Sequence, residues 1–168
     1  KMVPFYLRKK KSGALTSLND GGLSTKTPGP AEGSTSYGYP DHQWVNGVVA
    51  MGPNGPDPLK RVMTWTSDPL EEDLEVVGPI VMELWASSSE SDTDFIVKIA
   101  DQFPQSPEDR KKAVQPRSFN VSKGWLKASH HFTKNEKKST PYRPFYDHDN
   151  PRPLTKNAPY KFEIEVLP

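Results

Sequence analysis

The side chains equipped for chemistry fall into three groups: Ser87, Ser88 and Ser89 followed by Asp92, Thr93 and Asp94; the adjacent His130 and His131; and the triplet Asp147, His148 and Asp149. A serine becomes an acyl nucleophile when a GxSxG elbow exposes its hydroxyl beside a base. No serine here fits: Ser24 has Gly22 two residues before it but Lys26 two after, and nothing around it reads as strand, sharp turn and helix. Carboxylates one residue apart, as Asp92 and Asp94 are, can face one hard cation. In a tight crossover, however, Ser, Asp and Thr more commonly bond their own backbone, and residues 87–94 are read that way. Adjacent histidines on a strand point to opposite sides, which argues against a metal shared by His130 and His131 and leaves one of them as a candidate buried imidazole. The Asp147–Asp149 triplet lies in a Pro-rich stretch and supplies fewer fixed ligands than a zinc site needs, so a solvated turn is expected. No catalytic residue, metal ligand or cofactor is assigned. Cysteine is absent, which removes disulfides, thiol nucleophiles and Cys-containing zinc sites without fixing the compartment. A cytoplasmic location is the expectation, with secretion the alternative.

Binding residues are sought among the aromatics. Trp44, with Tyr37 and Tyr39, sits in a stretch dominated by Gly, Ser, Thr, Pro and Asp, where a ring can stand exposed and stack on a sugar or anchor a protein. Trp85 and Trp125 lie in strand-like segments and are expected to pack inside or against a neighbour. Net charge is +1, from 22 basic and 21 acidic residues, so no electrostatic pull toward nucleic acid or an anionic membrane is expected. The cluster at 8–11 (RKKK) reads as a solvated hairpin tip. No apolar run approaches the roughly 18 residues that span a bilayer. Asn120-Val121-Ser122 matches a glycosylation sequon, which matters only in a secreted eukaryotic protein.

The elements that must carry these residues are short strands. With 18 prolines and 11 glycines in 168 residues, long helices are disfavoured and turns abound. Residues 3–7 and 14–18 read as a first hairpin, 60–66 as a further strand, and 68–73 as an acidic turn. Residues 79–87 and 95–100 alternate apolar with polar side chains and read as a central hairpin. A short helix is expected near 107–112, with Ser106 as N-cap and Pro107 at the first position. Short strands at 118–121 and 125–128 flank a turn at 122–124. The last strand is the clearest: Tyr160, Phe162, Ile164 and Val166 alternate with Lys161, Glu163, Glu165 and Leu167. Long loops fill 19–58 and 132–158. One all-β domain over 1–168, an antiparallel jelly-roll sandwich, accounts for this pattern.

The segments 68–79 (DPLEEDLEVVGP), 87–95 (SSSESDTDF), 101–104 (DQFP), 4–7 (PFYL), Leu23-Ser24, 125–129 (WLKAS) and 151–166 together resemble the C-terminal β-domain of the CocE/NonD serine hydrolases, the cocaine esterase and X-prolyl dipeptidyl peptidase type. The resemblance implies a galactose-binding-like jelly roll that packs on an α/β-hydrolase catalytic domain of the same parent protein and shapes its cleft. It implies that the serine triad for ester or X-prolyl amide hydrolysis lies upstream, in that domain, and it leaves homo-oligomerisation open. Relatives carry an Arg where His131 stands, and they continue past the point where this sequence stops at Pro168, so the sandwich is expected to lack its last strands. The alternative is a stand-alone glycan- or protein-binding jelly-roll module using Trp44, Tyr37 and Tyr39.

Overall fold

The computed structural model describes residues 2–14, 19–38, 51–52, 55–56, 62–112 and 117–167. They divide into two units, one of Lys1–Leu74 with Gln102–Arg117, the other of Glu75–Asp101 with Ser118–Pro168.

In the first unit, β1 (Tyr6–Arg8) runs antiparallel to β2 (Asp20–Ser24), with Leu7 opposite Leu23. A two-residue ladder joins β3 (Met51–Gly52) to β4 (Gly55–Pro56). β5 (Thr64–Thr66) runs parallel to β2, with Trp65 opposite Gly21. The expected first hairpin is therefore corrected: the partner of β1 is 20–24, inside the expected loop 19–58, and residues 15–18 lie outside the described ones. The Asp-Gly-Gly start of β2 reads as loop by propensity, but glycine is required there. A Cβ on Gly21 would stand 2.6 Å from both the Arg8 carbonyl oxygen and Trp65 Cδ1, so the strand gives up a side chain where a neighbouring ring and backbone close in.

Nor is Arg8 part of a solvated tip. Its guanidinium forks onto Glu32, Nε at 2.8 Å and Nη2 at 2.7 Å from Oε2, and the Lys9 amide donates to Glu32 Oε1 at 2.8 Å. Buried Asp20 accepts from Ser12 Oγ at 2.7 Å and the Gly13 amide at 2.9 Å. The expected short helix is present as α1 (Pro107–Lys111), and Ser106 Oγ accepts the Asp109 amide at 3.1 Å, the bond an N-cap makes.

The second unit holds four longer strands. β6 (Ile80–Ala86) pairs antiparallel with β9 (Tyr160–Val166), placing Met82 opposite Ile164 and Leu84 opposite Phe162. β7 (Asp94–Gln102) is hydrogen-bonded to β8 (Ser118–Lys127). The central hairpin is corrected: β6 and β7 exist where expected, but β6 pairs with β9, and the polar segment between them crosses to the other ladder. Inner residues of all four strands meet in one core. Leu126, Ala128, Leu154, Phe162 and Ile164 are buried, with Met82, Leu84, Phe95 and Val97 packed against them. Burial of a Phe or Ile side chain of this kind stabilises by roughly 1.5–3 kcal/mol. The rings of Phe95 and Phe162 meet at 4.7 Å between centroids.

β8 is one strand, not two. The turn expected at 122–124 is absent because Gly124 serves close approach: a Cβ there would collide with the Glu165 carbonyl. β8 ends in a 3-10 helix, Ala128–Thr133, so His130 and His131 lie on a tight helical turn and not on a strand.

The stretch after Thr133 is largely irregular, as expected for 132–158, yet it is tied to the strands. On the outer face of the β6–β9 ladder Glu83 stands opposite Glu163, an arrangement that repels. Lys161 Nζ bridges both carboxylates at 3.0 Å each, and Lys134 Nζ also binds Glu163. Arg143 Nε reaches Glu165 Oε1 at 3.0 Å, and the Tyr146 hydroxyl donates to the Glu163 carbonyl at 2.7 Å. Burial alone would raise the Glu163 carboxyl, but the two ammonium groups prevail and hold it below the usual carboxylate range. Burial pushes the Tyr146 phenol up to about 12.

Candidate interaction surface

In a sheet with one buried face, alternation should put apolar side chains inward. β8 departs from this. Its buried positions are Gly124 and Leu126, with Ser122 half-buried, while Phe119, Val121 and Trp125 are exposed by 67%, 55% and 59%. On β7 the outward Ile96 is exposed by 54%. The Ala128 amide donates to the Thr93 carbonyl at 2.8 Å. Ile96 and Trp125 are thus exposed apolar residues on two hydrogen-bonded strands. Leu167, whose amide donates to the Lys123 carbonyl at 3.1 Å, extends the patch. With Asn120, Val121, Ser122, Lys123 and Trp125 it lines an open depression of ≈ 300 Å³. A run of large apolar side chains of this kind marks a surface that meets a partner.

Trp85 on β6 is also outward, and 71% exposed. Neither it nor Trp125 packs inside the unit. Further apolar side chains stand exposed in the irregular segment before β6, at Leu74, Val76 and Val77.

The residues singled out for chemistry have structural roles. Asp92 accepts from the amides of Thr93 at 3.0 Å and Ser129 at 2.9 Å and receives Lys127 Nζ at 3.2 Å. Burial opposes its charge, but these bonds win and its carboxyl lies below the usual range. It thereby fastens the crossover to the start of the 3-10 helix. Ser88 Oγ accepts the Glu90 amide at 3.0 Å. Ser24 ends β2, and its Oγ accepts the Lys26 amide at 3.1 Å, a local turn and no elbow. Asp147 binds Lys138 Nζ and Asn135 Nδ2, both at 2.6 Å. Of the two adjacent histidines, His131 is the inward one. Its ring packs against Phe132, Tyr160 and Phe162 at 5.0, 5.8 and 5.3 Å, and burial disfavours its protonation. His130 turns the other way, onto His148, with Nδ1 to Nδ1 at 2.9 Å. That pair could not be read from the sequence, because it depends on the 3-10 turn and on a return of the chain eighteen residues later. Among the described residues no three His, Asp or Glu gather as a metal site, and no helix is long and apolar enough to cross a membrane.

Of the aromatic binding candidates, one lies among the described residues. Tyr37 is 48% exposed, while Tyr39 and Trp44 lie outside the described residues.

Comparison with known proteins gives a consistent picture. Residues 1–168 match the family described as X-Pro dipeptidyl-peptidase C-terminal non-catalytic domain. The cocaine esterase of Rhodococcus sp. (strain MB1 Bresler) is 34% identical over 113 residues, 61% of this chain and 19% of that protein. The chain therefore spans only a small part of the length of this curated relative. No solved structure matches it significantly.

Proposed function

Because the chain belongs to the X-Pro dipeptidyl-peptidase C-terminal non-catalytic domain family, we propose that it is the β-domain of a CocE/NonD-type serine hydrolase and docks on that enzyme's catalytic domain. The observation that carries this reading is the exposed apolar run of β8. Its large apolar side chains Phe119, Val121 and Trp125 stand exposed, while its buried positions are Gly124 and Leu126. Such a face is stable in water only at the cost of exposed apolar area, and covering it recovers roughly 25 cal/mol per Å². The catalytic domain of the same parent supplies the cover, and the docked sheet forms part of the wall of its cleft.

In this account the domain is a galactose-binding-like jelly roll. The chemistry is acyl transfer from an ester or X-prolyl amide to a serine and then to water, carried out by a triad in the α/β-hydrolase domain. This chain contributes shape and rigidity to the site and no reacting group. The test is hydrolysis of a chromogenic short-chain ester, with an active-serine phosphonate probe run beside it. The parent hydrolase should turn over and label at one serine outside these residues, and the isolated chain should do neither. Turnover by the chain itself, with a labelled serine, would overturn the reading.

A further inference from the structure

The strap of residues 134–152 leaves the 3-10 helix Ala128–Thr133 and returns to it at several points. The Thr133 carbonyl accepts the Asp147 amide at 3.1 Å, and the Ser129 carbonyl accepts the Arg152 amide at 3.1 Å. Thr133 Oγ1 accepts the His148 amide at 3.2 Å while donating to the His130 carbonyl at 2.8 Å. Between these bonds stand the two imidazoles, Nδ1 to Nδ1 at 2.9 Å, with ring centroids 4.9 Å apart. His148 and Asn150 hold φ of 62° and 52°, a left-handed backbone that is costly for an L-residue. Surrounding contacts must hold this stretch in place.

Two ring nitrogens at that distance share one proton, with one Nδ1 donating and the other accepting through its lone pair. When both rings are protonated each Nδ1 carries a hydrogen, no acceptor remains, and two positive charges face each other.

We propose that His130 and His148 form an acid-released clasp that holds the strap 134–152 over the outer face of β9. Among the charges around it, Asp147 lies within electrostatic reach of His148. Asp147 is committed to Lys138 and Asn135, and Arg152 lies over the Phe132 ring at 4.5 Å. His131 faces the opposite way, into Phe132, Tyr160 and Phe162. The Tyr146 ring stands 6.1 Å from that of His148, and its hydroxyl is engaged with the Glu163 carbonyl. Lys134 is engaged with Glu163 and Glu136. Asp149 follows His148 directly in the chain. The contact needs one unprotonated ring, so its stabilisation is present while at least one imidazole is neutral and is lost when acid protonates both.

Site-resolved hydrogen exchange on the full chain, in EDTA to exclude a bridging metal, tests this. After correction for intrinsic rates, protection of the Asp147 and His148 amides should fall roughly two- to tenfold between about pH 8 and about pH 5. Protection along the β6–β9 ladder should stay constant. In His148→Asn, which tolerates the left-handed backbone, the two amides should be less protected at pH 8 and insensitive to pH. Constant protection of these amides in the unmodified chain would overturn the clasp. So would a loss shared equally by the ladder, or an unchanged pH response in the variant.

Discussion

β9 and β8 are both built on alternating apolar side chains, and the two meet opposite fates. On β9 the apolar set, Phe162, Ile164 and Val166, is fully buried within the unit, and the glutamates are paired with Lys161 of the same strand and with Lys134 and Arg143 from outside it. On β8 Phe119, Val121 and Trp125 stand in water, while the buried positions are Leu126 and a glycine that lets Glu165 approach. Alternation states that one face of a strand is apolar, but it does not state what covers that face. The apolar face of β9 is covered within its own unit, whereas Phe119, Val121 and Trp125 of β8 stand exposed, as the proposed docking requires.

Replacing one anchor on each strand should separate the two fates. Phe162→Ala opens a cavity in the core and should cost the chain about 3–5 kcal/mol in urea unfolding. Trp125→Ala should change the same measurement by about 1 kcal/mol or less. Its effect should emerge in association: calorimetric titration against the separately produced catalytic domain should show a loss of about 2 kcal/mol or more, some thirtyfold in affinity. Equal costs to stability from the two substitutions would break the comparison.

Where β8 passes β9, Gly124→Ala drives a methyl into the Glu165 carbonyl and should cost about 1–3 kcal/mol by thermal unfolding.

Tyr146→Phe sharpens the account of β9's outer face. It removes the bond to the Glu163 carbonyl and should cost about 1 kcal/mol at neutral pH. The folded phenol titrates near about 12 against an ordinary 10.0. Its neutral form thus stabilises the fold fully below the ordinary value, and that contribution disappears as pH rises through the folded one. The unmodified chain should therefore lose stability between these values, and the variant should lose less, as followed by circular dichroism.

Legibility in the sequence follows the range of the interaction. The last strand and the capped helix α1 rest on side-chain period and on Ser106 followed by Pro107, both local signals, and the structure holds them where expected. Pairing is not local. The strands at 79–87 and 95–100 are readable, but that β6 takes β9 as its partner depends on a segment eighty residues away in the register Ile80 with Val166 through Ala86 with Tyr160. Glycines mislead for a related reason. Gly21 and Gly124 look like turns, and both are places where another element comes too close for a side chain. Reading a turn at 122–124 also splits the apolar stripe of β8 in two, which hides Phe119, Val121 and Trp125 as one surface. Absence of a GxSxG elbow is readable directly. The family resemblance, carried by contiguous motifs, agrees with the match over the full chain.

The most direct test of the docking claim is hydroxyl-radical footprinting of Phe119 and Trp125 in the isolated chain and in the parent hydrolase. The account predicts strong labelling of both rings in the isolated chain and marked protection in the parent, with Tyr37 as an internal reference of comparable exposure. Equal labelling of Phe119 and Trp125 in the two preparations would contradict it, because the outer face of β8 would then remain open to water in the working enzyme.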